Sequence, residues 1–228
     1  MEREFTIRIK NPTLMLLPSK FIPQTADDFV GPAANVAHRM MRFIHHSKQT
    51  GDALAFLLTG QPGIGKTALA RWTGQQLGLT GCLLEPLNGT QLTIERVEEI
   101  AARLHYRPMF GEWHFIFVDE FEFVTNGAKA RLLTLLNVLP KWTAFVATCN
   151  RGTDELAQRN HSRFNAFELT SPEPHDIREF LEKKFAIPAD LADAAIKCAT
   201  RQVDLFTTID MRQVLKDCDE VILMREAA

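Results

Sequence analysis

Eight consecutive residues, Gly60-Gln61-Pro62-Gly63-Ile64-Gly65-Lys66-Thr67, set glycines, a lysine and a hydroxyl at the spacing G-x-x-x-x-G-K-[ST]. Glycine-rich backbone of this kind turns its N–H groups inward on phosphate, and a helix starting just after it adds partial positive charge. In that setting Lys66 would neutralise the β- and γ-phosphates of a nucleoside triphosphate, and Thr67 would hold Mg2+. The flanks fit, because residues 53–58 read as a buried strand and residues 67–77 as a helix. Gly60, Pro62, Gly63, Ile64, Gly65, Lys66, Thr67 and Ala68 are therefore the expected nucleotide-binding set.

Further polar residues fall where such a loop would need them. Asp119 and Glu120 follow the apolar run 113–118, at the carboxyl end of a strand, where ligands of open α/β sheets gather. Asp119 would support the Mg2+ shell while Glu120 orients the attacking water. Asn150 ends another apolar run; it is either a polar tip facing the γ-phosphate or the turn former of Asn150-Arg151-Gly152. Arg159, Arg163 and Arg212 are each either a phosphate-seeking cation or a solvated surface charge.

The elements that must position these groups alternate. A possible strand at 5–9 comes first, then a turn-rich connection at 21–32 and a helix at about 33–46 with Val36, Met40 and Ile44 at helical spacing. Strands are expected at 81–84, 113–118, 144–148 and 166–169, and helices at 93–104, with Thr93 as N-cap, and 132–139. The pattern predicts a parallel sheet with helices on both faces. Beyond Ser171-Pro172-Glu173-Pro174 only helices are expected, at 176–184, 191–201 and 210–224. An apolar content of 46% is ample for a core, and a net charge of −2 supplies no global attraction for nucleic acid. Cys82, Cys149, Cys198 and Cys218 lie far apart, which excludes a C-x-x-C metal or redox site. No apolar stretch is long enough to span a bilayer, so a cytoplasmic protein is expected.

Together these motifs resemble the AAA+ ATPases, and within them the clamp-loader branch, over residues 21–220. The resemblance implies an N-terminal extension (1–20), a P-loop α/β nucleotide-binding domain (21–170) and a small helical lid (171–228). The segment Asp27-Asp28-Phe29-Val30-Gly31 is similar to the stretch that lies against adenine, which adds Val30 and Gly31 to the binding set. Glu120 would be catalytic, with Asn150 as sensor 1, Arg163 of Ser162-Arg163 as the arginine finger and Arg212 of Met211-Arg212-Gln213 as sensor 2. Residues 85–90, with Leu87-Asn88, resemble the strand end whose polar residue restrains the catalytic glutamate. Two signatures depart from the family: Asp-Glu-Ala-Asp reads Asp119-Glu120-Phe121-Glu122, and Ser-Arg-Cys reads Ser162-Arg163-Phe164. The collar helices of clamp loaders would lie beyond Ala228.

The resemblance further implies ATP and Mg2+ as cofactors and an oligomer of like subunits in which Arg163 completes a neighbour's site. An ATPase acting on DNA or a DNA-bound complex is expected, with a clamp or other protein as a further partner. The local cationic set for DNA would be Lys129, Arg131, Arg151, Arg159 and Arg163. The competing expectation is a remodeller of protein complexes, for which Phe110-Gly111 would have to be a pore loop and not the tight turn its position suggests. A non-hydrolysing subunit is disfavoured by the presence of both Glu120 and Arg163. A GTPase is excluded by the lack of an Asn-Lys-x-Asp base reader, and nothing in a small-molecule kinase would require Asn150, Arg163 and Arg212.

Overall fold

The computed structural model describes residues 20–109, 111–150, 163–203 and 206–226. The expected strand at 5–9, Arg151, Arg159 and Ser162 lie outside them. Helix α1 (Pro32–Thr50) has proline in its first turn and ends at Gly51 in the left-handed region, the asymmetry that fixed φ at one end and free φ at the other produce. It leads into β1 (Leu54–Gly60), the phosphate loop and α2 (Lys66–Gln76). Then come β2 (Leu87–Asn88), α3 (Ile94–Arg103), β3 (His114–Asp119), α4 (Asn126–Leu136), β4 (Thr143–Cys149) and β5 (Asn165–Leu169). As expected, Thr93 caps α3, its Oγ1 accepting from Arg96 N–H at 3.2 Å.

The sheet order is β2-β3-β4-β1-β5 and every pairing is parallel. Parallel strands need crossovers, and the helices covering both faces explain the near-continuous apolar runs. Phe56, Leu58, Phe117 and Val146 pack beneath α1 and α2 with Met40, Leu69 and Trp72. Leu57, Val118, Phe145 and Ala147 point the other way, into a core shared with Val97, Ile100 and Leu132 of α3 and α4.

A third cluster belongs to the C-terminal part. There α5 (Pro174–Phe185), α6 (Ala189–Ala199) and α7 (Met211–Glu226) bury Ile177, Leu181, Ile196, Val214 and Cys218. This part is not purely helical, contrary to expectation. An antiparallel hairpin, β6 (Thr200–Val203) and β7 (Phe206–Ile209), follows α6. The β-branched Thr200, Thr207, Thr208 and Ile209 favour extended backbone there.

The expected strand at 81–84 is a 3-10 turn, Gly81–Leu84. Gly81 sits at φ +60, and Leu84 packs over Gly74 of α2 while Leu83 is exposed, so the turn adds nothing to the sheet. Helix α4 starts six residues earlier than the apolar periodicity suggested, because Thr125 Oγ1 caps it by accepting from Ala128 N–H at 3.4 Å. No helix among the described residues is long and apolar enough to cross a membrane.

Candidate functional site

The strand order sets the geometry of the site. With β4 between β1 and β3, the tips of the phosphate-loop strand and the acidic strand stand two strand spacings, about 10 Å, apart. The tip of β4 fills the gap between them. Thr148 Oγ1 lies against Asp119 Oδ1 and accepts from Glu120 N–H at 3.3 Å. Thr67 Oγ1 is 3.3 Å from Asp119 Oδ2, so the two expected Mg2+ supports face each other.

Lys66 is 6% exposed, and its Nζ donates to the carbonyls of Gly60 at 2.9 Å and Gln61 at 2.6 Å. Burial depresses its pKa to about 8, against the opposing pull of Glu122 and Asp119; the nearby Arg212 guanidinium lowers it further. A buried ammonium held only by carbonyls lacks a full counter-charge. Gly65, at φ +101, heads α2 with nothing within 4 Å of where a side chain would begin. Buried cation, open glycine and helix N-terminus together fit a phosphate group. The oxygen donors Thr67 and Asp119 fit Mg2+, which takes few protein ligands and completes its shell with phosphate and water.

Glu120 sits in the left-handed region at φ +56 and ψ +50, uncommon for a residue with a side chain. Its Oε2 accepts from Asn88 Nδ2 at 2.8 Å. The Asn88 carboxamide is itself oriented, since its Oδ1 accepts from Thr90 N–H at 3.0 Å and from Thr90 Oγ1 at 2.8 Å. Gly89 makes the close approach possible: a Cβ there would come within 2.2 Å of the Glu120 carbonyl oxygen.

The remaining expected residues divide by location. Asn150 stands at the tip of β4 with its N–H donating to Glu122 Oε1 at 3.1 Å. Gly31, at φ +52, packs on Asp176 of α5 and on Pro172, and Val30 joins the C-terminal core. Arg212 is exposed in the first turn of α7, which docks on the phosphate loop: Met211 N–H donates to Gly63 O at 3.1 Å, and Asp210 presses on the Gly63 Cα. Pro62 is exposed, Ile64 is buried against Gly60, and Ala68 packs on the α1/α2 core.

Arg163 does not join this group. It precedes β5, whose Asn165 lies four residues before Leu169, the partner of Gly60, a separation of about 13 Å along the strand. The half-buried Arg163 donates from Nε to Asn137 Oδ1 at 2.6 Å. Of the expected cationic set, Lys129 is 9% exposed and donates to Glu122 O at 3.2 Å, and Arg131 pairs with Glu98 at 3.3 Å, while Arg151 and Arg159 lie outside the described residues.

Two residues of the site were missed. Thr148 has Asn150 two positions on, so strand alternation puts both on one side, and a hydroxyl in an apolar strand was the available signal. Glu122 was noted only as a departure; its Oε2 is buried without a hydrogen-bond partner, and its charge acts on Lys66. The other departures answer each other: Phe121 and Phe164 are buried edge to face at 6.2 Å.

A five-stranded parallel sheet with the phosphate-loop strand at an inner position, carrying this cluster at its carboxyl end, defines a P-loop nucleotide-binding protein. The chain belongs to the ATPase family associated with various cellular activities (AAA), whose model matches residues 56–171. It is 28% identical over 187 residues to the Holliday junction branch migration complex subunit RuvB of Rubrobacter xylanophilus, an alignment covering 72% of this chain and 49% of that protein. The chain thus spans about half the length of the curated relative it matches. Its fold is also that of the Thermotoga maritima RuvB branch migration motor, with a TM-score of 0.67 at 22% identity over 90% of this chain and 66% of that one. A point mutant of the same Thermotoga protein gives a TM-score of 0.68 at 18% identity over 91% of this chain and 68% of that one. These relatives are named for Holliday junction branch migration, and the AAA family is shown without singling out the expected clamp-loader branch.

Proposed function

We propose that this protein is an Mg2+-dependent ATPase of the AAA+ type that works as an oligomer on DNA or on a DNA-bound complex. The observation that carries the reading is the buried Lys66 ammonium, held only by two loop carbonyls next to the open Gly65 at the head of α2. Gly60 to Ala68 would wrap the phosphates, Val30 and Gly31 would lie against the base, and Arg212 would approach the phosphates from α7. Thr67 and Asp119 would hold Mg2+, which when bound neutralises charge on the β- and γ-phosphates. Glu120 would orient the attacking water, with Asn150 and Thr148 fixing the strand tip beside it.

The distance of Arg163 from its own phosphate loop supports a role in a neighbour's site, because a cation so placed has no reach to its own γ-phosphate. Residues 171–228 would act as a lid domain over the nucleotide-binding domain 21–170. Action on DNA is drawn from the RuvB relatives, which are named as subunits of a Holliday junction branch migration complex. The clamp-loader assignment rests on motif order alone and is the weaker form of the same reading.

The test is molar mass by light scattering with and without a slowly hydrolysed ATP analogue, paired with ATPase rates with and without branched DNA. Assembly with the analogue and stimulation by DNA are expected. Indifference to DNA together with stimulation by a protein substrate would favour the remodeller reading instead, and an ATPase rate at background would overturn both.

A further inference from the structure

At the end of β3 far from Asp119, the chain presents a loop that the nucleotide site does not use. Helix α3 ends at Arg103, and residues 104–112 lead into Trp113 and β3. Two hydrogen bonds pin its turn: Tyr106 N–H donates to Arg103 O at 3.1 Å, and His114 Nε2 donates to Tyr106 O at 2.7 Å. Although its backbone is held on both sides, Tyr106 is 76% exposed, and Met109 is 90% exposed. Tyr106 is the chain's only tyrosine.

Arg103, His105 and Arg107 surround it, all exposed, and none of their side chains has a hydrogen bond or ion pair among the described residues. From 103 to 112 the sole acid is Glu112. Arg103 alone would be explained by the negative end of α3; Arg107 and the phenol ring lie past that helix and are not. An exposed aromatic ring on a pinned backbone, flanked in sequence by guanidinium groups without ion pairs among the described residues, matches a base stacked on the ring with its phosphates on the cations. An acidic protein surface would use the cations but leave the ring without a planar partner.

We propose that Tyr106, with Arg103 and Arg107, forms a stacking platform for single-stranded nucleic acid. This rests on the reading that the protein works on DNA, and it names a surface for that contact. The six residues of β3 separate the platform from Asp119 by about 16 Å, so strand and triphosphate would bind together without competing.

The test is fluorescence anisotropy of a fluorescein-labelled oligo-dT of about 20 nucleotides against the full chain with ADP present, over a salt series. Tyr106→Ala should weaken binding about fivefold or more with little change in salt slope, and Tyr106→Phe should keep the affinity. Arg103→Ala/Arg107→Ala should flatten the slope of log K against log salt by about 0.7 per charge removed. Because these side chains are exposed, ADP affinity and melting temperature should not move. If the unaltered protein binds DNA and Tyr106→Ala binds it equally well, the platform is overturned while the DNA reading stands. If the unaltered protein binds neither single-stranded nor duplex DNA, both fail.

Discussion

Asn88 Nδ2 donates to Glu120 Oε2 at 2.8 Å, across the register that pairs Asn88 with Asp119. The carboxylate proposed to orient the attacking water is thereby tied to the tip of β2, on a backbone already in the left-handed region. Freeing it should matter, since a hydrogen bond to a charged group contributes about 1.5–3 kcal/mol. Asn88→Ala is expected to raise basal ATP turnover roughly tenfold and to blunt any stimulation by DNA. Glu120→Gln should bind nucleotide normally yet turn over about 100-fold or more slowly. Steady-state and single-turnover ATPase assays on both variants check the pair.

Gly89 allows β2 to approach Glu120 so closely. Gly89→Ala should disturb both partners and cost about 1–3 kcal/mol of stability, because the obstacle is a backbone carbonyl. Chemical denaturation compared with the wild type measures it, and basal ATPase should shift in the same direction as in Asn88→Ala.

Nucleotide affinity should depend on Lys66 ionisation. Burial places its pKa at about 8, and an anion beside it raises that value. Affinity should thus be full well below pH 8 and fall as pH climbs past 8, with a proton taken up on binding between that value and the raised one. Calorimetric titration of ADP at several pH values checks the sign. Lys66→Ala should lose nucleotide binding outright.

The Asp28 carboxylate, 7% exposed, accepts from the N–H groups of Gln24 and Thr25 at 2.8 Å each and from Lys184 Nζ of α5. Desolvation alone would raise its pKa; the Lys184 ammonium and the two amides outweigh it and hold it at about 2. A carboxylate with a lowered pKa stabilises the fold fully above its unfolded value near 3.8, and that contribution disappears as pH falls toward 2. Asp28→Asn should remove roughly 2 kcal/mol at pH 7 and little near pH 2, as thermal melts across that range would read.

Arg163→Ala should retain nucleotide and lose hydrolysis by about 10³-fold or more if the cation serves a neighbour. Mixing it with Lys66→Ala protein should restore part of the rate, and no recovery would count against a shared site.

The phosphate loop was legible because its chemistry lies in eight contiguous residues, and the sheet because parallel strands read as unbroken apolar runs. What escaped depended on tertiary partners. The run 81–84 is too short for periodicity to separate a strand from a turn, and only its contact with Gly74 decides it. The β6–β7 hairpin hid in a stretch that could continue a helix. Glu122 looked like a mere departure because its proximity to Lys66 joins positions fifty-six residues apart. The burial of Lys129 in like manner rests on a carbonyl contributed by another element.

Because Met211 N–H holds the Gly63 carbonyl, the phosphate loop is joined directly to the first residue of α7. That helix has sixteen residues and is about 24 Å long, so a tilt of about 10° at its anchored end would swing the far end by about 4 Å. A small adjustment of one peptide plane around an arriving anion would thus be magnified into a displacement large enough for an adjoining molecule to register.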